Sequence, residues 1–306
     1  MKLREVIPFL IGFLVLAVLL YTLDVGKVAS LILNANLLYF AAALVTYLVC
    51  EVLAAVTLRL LFKGRLAFLL PCHMCGMLYS SLTPGRVGYY YVAYSLSKKL
   101  GRSVSSNAGV LTLMQAINFF LKVIFSLTAV VYFSLYFISV EAKYYLLLVS
   151  IAPVLFVLAI GIFLYTDIPL KIIGSRPGLF AKARTFIMSM QDASRSVGVK
   201  VILKVMVLSC LSWLLLGFMM WMLTKSLGLD VAYLSCLMMH PLLSAVMFIP
   251  FVPAGLGLTE TGSALIFKII GLSTADGVAF MLLYRAATII VDAFGLVDMW
   301  LVGKSK

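Results

Sequence analysis

Proline and glycine interrupt the apolar sequence twice, at Thr83-Pro84-Gly85-Arg86-Val87-Gly88 and at Val252-Pro253-Ala254-Gly255-Leu256-Gly257-Leu258-Thr259-Glu260. An apolar sequence resumes after each interruption, which we call the first and second tip. In the hydrocarbon core of a membrane, irregular backbone persists only where protein buries it or where it lines a wet cavity. Paired interruptions in two halves of a chain are typical of membrane transport proteins with a binding site at the midplane. The tips therefore predict a helical membrane protein with a central site.

The composition is that of an integral membrane protein. Of the 306 residues, 64% are hydrophobic and 11% are charged, with a mean hydropathy of +1.16, whereas soluble domains are about half apolar and about one quarter charged. Residues 6–23 are almost wholly apolar and follow Lys2 and Arg4. We therefore expect an uncleaved first span, with cleavage near Val28-Ala29-Ser30 as a minor alternative.

The net charge of +13 does not indicate nucleic-acid binding, because the basic residues cluster between apolar segments. This distribution follows the positive-inside rule and also suits anionic lipid headgroups. It places both termini in the cytoplasm and predicts a multi-pass protein of the cell membrane.

Hydropathy and charge together predict an all-α integral membrane protein with six full spans and two re-entrant hairpins. The spans are expected at about 5–23, 37–62, 104–138, 144–166, 201–228 and 275–302. One hairpin is expected at 66–97, open to the cytoplasm, and the other at 231–270, open to the exterior. Residues 167–200 form the main cytoplasmic loop, in which 179–197 can lie in the membrane interface as a basic amphipathic helix.

We interpret residues 1–306 as a single transmembrane domain that contains an inverted repeat, with units at 37–138 and 199–302 in opposite orientations. The repeat is indicated by residues that match at an offset of 169 or 170: Pro71 with Pro241, Pro84 with Pro253, Gly88 with Gly257, Lys99 with Lys268, Gly101 with Gly271, and Ser103 with Ser273.

Two polar stripes give the strongest indication of a site. Gln115, Asn118 and Lys122 share one face of the third span, and residues at the same spacing share a face of the sixth: Arg285, Thr288 and Asp292. Ionisable groups at this depth indicate a functional site by default. The alternative is a structural role, in which Lys122 pairs with Glu51 of the second span, and Arg285 pairs with Asp292 or Glu260.

The tips favour an anionic guest. A half-helix begins after each tip, and its N-terminal N–H groups and dipole attract negative charge. Arg86 adds a cation at the first tip, and we expect glycines to let the backbone approach a phosphate closely: Gly85, Gly88, Gly255 and Gly257. Glu260 either complements the second half-helix or faces a cationic headgroup. Simple kinks in two spans are the alternative interpretation of the tips.

The sequence contains no signature of an enzyme or a cofactor site. Cys72-His73-Met74-Cys75 supplies at most three metal ligands, fewer than structural zinc requires, so neither a metal nor another cofactor is expected. Neither a Walker-type phosphate loop nor a G-x-S-x-G elbow is present. The five cysteines lie in apolar segments and are expected to be reduced thiols.

At its tips the chain resembles the flippase-like transmembrane region of bacterial lysylphosphatidylglycerol synthase and its stand-alone relatives. The resemblance covers nearly the whole chain and rests on 82–88, on 253–260, and on their spacing to Gly271-Leu272-Ser273 and Arg285. It implies a lipid translocator without the synthase's separate catalytic domain. Relatives of this region also occur beside glycosyltransferases that use polyprenyl-phosphate carriers, which widens the expected substrate class.

The first half departs from the family pattern. Tyr89 stands where the family often has an acid, and Gln115 and Asn118 stand where it often has an arginine and an aspartate. Glu260 and Arg285 remain in the second half. One possible acidic partner for the ammonium of a lysylated lipid is therefore missing.

Residues and resemblance together favour a flippase-like translocator that binds an anionic phospholipid or a polyprenyl-phosphate-linked headgroup at the midplane between the hairpins. Arg86 and Arg285 would hold phosphate, and Glu260 would hold a cationic group or tune Arg285. Lys122 and Asp292 would exchange partners between states. The other candidate coupling or gating residues are Glu51, Gln115, Asn118 and Thr288.

Two alternatives remain open. One is an ion-coupled secondary transporter of a small solute, in which Glu51, Lys122 and Asp292 form a proton relay. The other is a non-catalytic membrane partner of a lipid-modifying enzyme or glycosyltransferase, which it would anchor through the basic loop 167–200.

Overall fold

The predicted all-helical architecture is confirmed, because every regular element of the described residues is a helix. The computed structural model describes residues 25–83, 85–137, 155, 158–174, 178–246 and 255–303. The predicted first span, most of the fourth span, Pro84 and residues 252–254 lie outside this part of the chain. In chain order the helices are α1 (Val25–Leu33), α2 (Leu37–Phe62), α3 (Leu66–Ser81), α4 (Tyr91–Leu100), α5 (Val104–Tyr136), α6 (Ile168–Ile173), α7 (Leu179–Arg195), α8 (Val199–Ser226), α9 (Tyr233–Val246), α10 (Leu258–Ile269), α11 (Thr274–Ala293) and α12 (Val297–Gly303).

Four helical segments are long and apolar enough to cross a membrane: Leu37–Phe62, Val104–Tyr136, Val199–Ser226 and Thr274–Val302. They correspond to the predicted second, third, fifth and sixth spans, and each boundary agrees with the prediction to within two residues. The chain is therefore a multi-pass membrane protein. The cytoplasmic location of its termini, the total of six spans and the two re-entrant hairpins remain predictions.

The order of helix lengths is the same in both halves of the chain. A long helix, two shorter helices separated by a tip, and a second long helix follow one another at α2–α5 and again at α8–α11. The two short helices of the first half are joined through the 3₁₀ turn Val87–Tyr90. This recurrence agrees with the proposed repeat units, whose opposite orientation stays a prediction.

Three of the six matched pairs have the same local roles in both halves. Gly101 and Gly271 each follow a short helix in the left-handed conformation, with φ of 67° and 86°. Ser103 and Ser273 each begin the next long helix, and their hydroxyls accept from the amides of Ser106 and Asp276, as N-cap residues do. Pro71 and Pro241 each lie inside a short helix.

Two other pairs differ. Gly88 lies within a 3₁₀ turn, whereas Gly257 precedes a helix with a φ of 81°. Lys99 pairs with Asp298, whereas Lys268 is exposed. The repeat stays a prediction.

Side chains from both halves form the core. The long helices α2 and α8 pack along each other, and α11 contacts α1, α2 and α3. The larger of two apolar clusters joins α2 to the helices of the second half, and the smaller joins α2–α5 to α7 and α8. The first and second halves therefore share a packed interior.

The basic helix α7 packs against α5. Ser194 is fully buried, and its hydroxyl donates to the carbonyl of Gly109 at 2.8 Å. A Cβ atom on Gly109 would collide with the backbone of Met190, so the two helices approach as closely as glycine allows. The predicted helix at 179–197 is present, but one of its faces is buried against the third span.

A buried acid, Asp298, joins the end of the last span to the first half of the chain. The carboxylate of Asp298 pairs with the ammonium of Lys99 and accepts from the hydroxyls of Ser95 and Tyr91 at 2.7 and 3.0 Å. The sequence analysis did not anticipate this cluster, which we call the Asp298 clamp. It joins α4, which follows the first tip, to α12.

Candidate functional site

A cavity of about 670 Å³ lies between the two halves, bounded mainly by α2, α3, α5, α8 and α11 together with the first tip. Nine of the candidate residues line it: Glu51, Gly85, Arg86, Gln115, Asn118, Lys122, Arg285, Thr288 and Asp292. Both polar stripes therefore face one space, to which each half contributes. Four other candidates do not line it: Gly88, Gly255, Gly257 and Glu260.

Two buried acids, one from each half, lie on either side of a tyrosine. The hydroxyl of Tyr47 lies 3.2 Å and 3.4 Å from the two carboxylate oxygens of Asp292. Glu51 lies one turn further along α2. Glu51 and Asp292 are 3% and 1% exposed, so protein rather than bulk water has to compensate their charge.

A histidine and a second tyrosine extend this arrangement into the first tip. Nε2 of His73 lies 3.3 Å from Oε2 of Glu51, and Nδ1 of His73 lies 3.0 Å from the hydroxyl of Tyr89. The cavity therefore has a continuous polar wall from the first tip to α11. Tyr89, which replaces an acid of the family pattern, belongs to this wall.

Arg86 occupies a strained backbone position at the edge of the cavity. Its φ of 59° is in the left-handed region, which costs a residue with a Cβ atom roughly 1 kcal/mol or more. Its Nε donates to the hydroxyl of Ser80 at 2.7 Å. Arg86 lines the same cavity as Glu51 and Asp292.

Hydrogen bonds within the first tip keep its chain compact. They correct the expectation that Gly88 lets the backbone approach a phosphate. The hydroxyl of Thr83 accepts from the amide of Gly88 at 2.7 Å and donates to the carbonyl of Tyr79 at 3.0 Å. A Cβ atom on Gly88 would collide with that carbonyl. Gly88 is thus required for packing inside the tip and not for close approach to a guest.

The N-terminus of the second half-helix is occupied by its own side chain. Oε2 of Glu260 accepts from the amide of Gly257 at 2.7 Å and from the hydroxyl of Thr259 at 2.9 Å. The expected anion site at α10 is therefore filled by Glu260, since a carboxylate three residues into a helix can cap it. This explains why Gly255, Gly257 and Glu260 lie behind the cavity wall.

Glu260 also holds Arg285, as one of the sequence alternatives proposed. Nε of Arg285 donates to Oε1 of Glu260 at 3.0 Å, and one terminal nitrogen donates to Thr259 at 2.9 Å. The carboxylate of Glu260 is fully buried, while the side chain of Arg285 is 18% exposed and lines the cavity. Glu260 therefore holds Arg285 in position, and its own carboxylate does not line the cavity.

The stripe on α5 forms the opposite wall. The hydroxyl of Ser209 donates to the side-chain oxygen of Asn118 at 2.7 Å, which ties α5 to α8. The ammonium of Lys122 lies 5.5 Å from the centre of the Phe119 ring. Phe125 and Trp213 stack at 3.7 Å between ring centres. This wall thus combines one cation, two amides and an aromatic stack.

Three buried polar atoms of the cavity wall make no hydrogen bond of good geometry among the described residues: Oε2 of Glu51, which lies 3.3 Å from Nε2 of His73, Nε1 of Trp213 and Nδ1 of His240. An unsatisfied buried polar group costs about 1–3 kcal/mol. Three such atoms facing one cavity are typical of a site that binds a polar molecule or ordered water.

Several polar residues of the cavity wall were not predicted as site residues, among them Tyr47, His73, Tyr89, Trp213 and His240. Tyr47 precedes Glu51 by one helical turn, so helical spacing could have indicated that the two share a face. His73 was weighed only as a metal ligand. The structure instead directs His73 to Glu51, while Cys72 lies among apolar side chains.

Comparisons with known proteins support the resemblance found in the tips. A family model described as the lysylphosphatidylglycerol synthase TM region matches residues 6–294. A UPF0104 membrane protein of Methanocaldococcus jannaschii is 25% identical over 238 residues, which cover 75% of this chain and 96% of that relative. No solved structure matches the chain. Since the family model covers nearly the whole chain, the protein belongs to the family of the lysylphosphatidylglycerol synthase transmembrane region.

Proposed function

We propose that the protein translocates a lipid with an anionic headgroup between membrane leaflets and holds that headgroup in the central cavity. The proposal rests on one observation: three cationic side chains line one cavity between the halves, namely Arg86, Lys122 and Arg285. Family membership supports a lipid-related role in the membrane.

The volume and chemistry of the cavity suit a phosphate-bearing headgroup. Small-molecule sites usually measure roughly 300–1,000 Å³, and this cavity measures about 670 Å³. Arginine binds phosphate through several N–H donors in a fixed fork. Arg285 uses two of its five donors on Glu260 and Thr259, and the cavity can engage the others. The unsatisfied Trp213 and His240 nitrogens offer further polar contacts.

To move the headgroup across the membrane, the cavity has to open first to one leaflet and then to the other. The tips are the natural places for this, because short helices joined by glycine change direction with few altered dihedrals. In the proposed cycle Arg86 moves with the first tip, while Arg285 stays fixed by Glu260. Lys122 and Asp292 exchange partners as the walls separate.

Native mass spectrometry of the gently purified protein, combined with identification of the retained lipids, tests this binding proposal. We choose Arg86→Asn because asparagine tolerates the left-handed conformation and removes the charge without added strain. Arg102→Asn is the matched control, since Arg102 is exposed and lies away from the cavity. We expect an anionic lipid on the wild type and the control, and its loss from Arg86→Asn. A wild type without lipid, or equal retention by all three, contradicts the proposal.

A second candidate function is ion-coupled transport of a small polar solute. It is favoured by the buried pair Glu51 and Asp292, since such acids are common in proton-coupled carriers. Proton-dependent uptake of a water-soluble substrate into proteoliposomes, with no lipid retained after purification, would support it over translocation. Co-purification of a lipid-modifying enzyme with an inactive chain would instead support the role of a membrane partner.

A further inference from the structure

The two buried acids have different partners. Glu51 and Asp292 lie on helices from different halves; the hydroxyl of Tyr47 lies 3.2 Å from Asp292, and Nε2 of His73 lies 3.3 Å from Oε2 of Glu51. A tyrosine hydroxyl carries one proton and donates to one acceptor at a time. Because Tyr47 gives its proton to Asp292, it does not compensate Glu51 at the same time, and Glu51 relies on His73.

Arg86 is the cation of the first tip in the cavity that the acid pair lines. Its side chain, Glu51 and Asp292 belong to the same cavity wall, and its Nε donates to the hydroxyl of Ser80. A buried carboxylate that loses its compensating cation is destabilised by several kcal/mol, and it usually avoids this by binding a proton. The charge state of the acid pair therefore depends on what else Arg86 binds.

A headgroup phosphate and the acid pair compete for the same guanidinium. When phosphate engages Arg86, positive charge is withdrawn from Glu51 and Asp292, and one of them has to be neutralised in another way. We infer that binding of an anionic headgroup is coupled to uptake of a proton by the Glu51–Asp292 pair, an inference that rests on the proposed function. Because linkage is reciprocal, a proton gradient would then bias the occupancy of the cavity and could drive translocation.

Other titratable groups also face the acid pair and have to be separated from it. They are Cys50 on α2, His73 on α3, Arg86 and Tyr89 at the first tip, Lys122 on α5, His240 on α9, and Tyr284 and Arg285 on α11. Histidine ordinarily titrates closest to neutral pH. His73 and His240 are therefore the competing sources of any proton uptake.

Isothermal titration calorimetry with dihexanoylphosphatidylglycerol, a short-chain lipid, measures binding and proton uptake together. The purified protein is titrated at one pH in PIPES, MOPS and imidazole, whose ionisation enthalpies differ. The slope of the observed enthalpy against buffer ionisation enthalpy counts the protons taken up. The lipid phosphodiester does not titrate near neutral pH, so any uptake belongs to the protein. We expect about one proton per lipid, and an affinity that rises by up to about tenfold for each unit of pH lowered.

Substitutions identify the residue that takes up the proton. Glu51→Gln and Asp292→Asn are expected to reduce the slope per bound lipid to near zero, while the exposed-acid control Asp192→Asn keeps both binding and slope. His73→Gln and His240→Gln alter the cavity wall, so only their slope per bound lipid is compared with the wild type, and it is expected to persist. If an acid variant does not fold, the pH dependence of the wild-type affinity still decides whether uptake occurs. Absence of lipid binding overturns the proposed function. Lipid binding without uptake, uptake lost only in the histidine variants, or a dependence on sodium instead of protons overturns the coupling alone.

Discussion

At the residue scale, the candidate site consists of a few charged side chains and the polar side chains that lie against them. The i, i+3, i+7 spacing predicted that each polar stripe shares a face, and both stripes line one cavity. The partners of those residues were less predictable. His73 contacts Glu51 and Tyr47 contacts Asp292 only because α2, α3 and α11 pack against one another, and no local pattern encodes that packing. The cap formed by Glu260 on Gly257 was accessible from local spacing, because a capping residue three positions into a helix is a recognised pattern.

The pair Glu260–Arg285 gives a prediction for stability. Glu260→Gln keeps the shape of the side chain but leaves Arg285 without its buried counter-charge, which costs about 3–5 kcal/mol for a buried pair. We expect a clear fall in the unfolding temperature of the detergent-solubilised protein. Asp230→Asn breaks the exposed pair with Lys225 and serves as the control, with no measurable change expected because solvent screens such pairs. Equal effects of the two substitutions would show that Glu260 contributes only as a surface charge.

At the element scale, proline and glycine made the helix ends predictable. The tips end α3 and precede α10 as expected, and the matched glycines and serines end and begin corresponding helices. The break in the last span was not anticipated. Its apolar sequence continues through the 3₁₀ turn Phe294–Leu296, and the reason for the turn is tertiary, since Gly295 packs directly against the backbone of Cys75 on α3.

Close packing at Gly295 predicts opposite outcomes for two Gly→Ala substitutions. In Gly295→Ala, the new methyl group collides with the backbone at Met74 and Cys75, and overpacking of this kind costs about 1–3 kcal/mol. In Gly161→Ala, the methyl group has no neighbour within 4 Å among the described residues and lies in a helical segment, and alanine there stabilises by about 0.5–1 kcal/mol. Thermal unfolding of both variants measures the difference. Tolerance of Gly295→Ala with an unchanged unfolding temperature would contradict the close approach of α3 to the turn.

The Asp298 clamp predicts strong coupling between α4 and α12. Either Asp298→Asn or Lys99→Met leaves one buried charge unpaired, and we expect each to destabilise the protein by about 3–5 kcal/mol. The double variant is expected to cost clearly less than the sum of the two, because each single change already removes the same ion pair. Unfolding temperatures of the four proteins give the coupling. Additive effects would mean that Lys99 and Asp298 act independently.

At the scale of the whole molecule, composition was enough to predict a multi-pass, all-helical membrane protein. The long–short–short–long order of helices in both halves was also predictable from hydropathy and the tips. The sequence predicted a site between the two halves, and its depth in the membrane stays a prediction. The walls of the observed cavity depend on how α2 and α8 pack across the halves, which a single sequence does not specify. The family match then connected this architecture to a lipid-related role.

The inverted repeat predicts which side of the membrane each hairpin opens to. Single cysteines replace exposed residues that flank the hairpins, Arg65 and Lys98 around the first and Asp230 and Lys268 around the second, in a background with half-buried Cys210 changed to alanine. A membrane-impermeant maleimide applied to intact cells is expected to label the second pair only, and lysed cells to allow labelling of both. Labelling of Arg65→Cys and Lys98→Cys from opposite sides would mean that the first hairpin is a full crossing.

Translocation itself provides the most direct test of the central claim. The protein is reconstituted into phosphatidylcholine vesicles that contain phosphatidylglycerol labelled on an acyl chain with a dithionite-sensitive fluorophore, with and without an imposed pH gradient. Wild type and the Arg102→Asn control are expected to deliver inner-leaflet lipid to the quencher. Arg86→Asn, which loses a charge-assisted contact worth about 1.5–3 kcal/mol, is expected to slow delivery at least about tenfold. Delivery by Arg86→Asn at the wild-type rate, or no delivery by the wild type under either condition, would contradict the account.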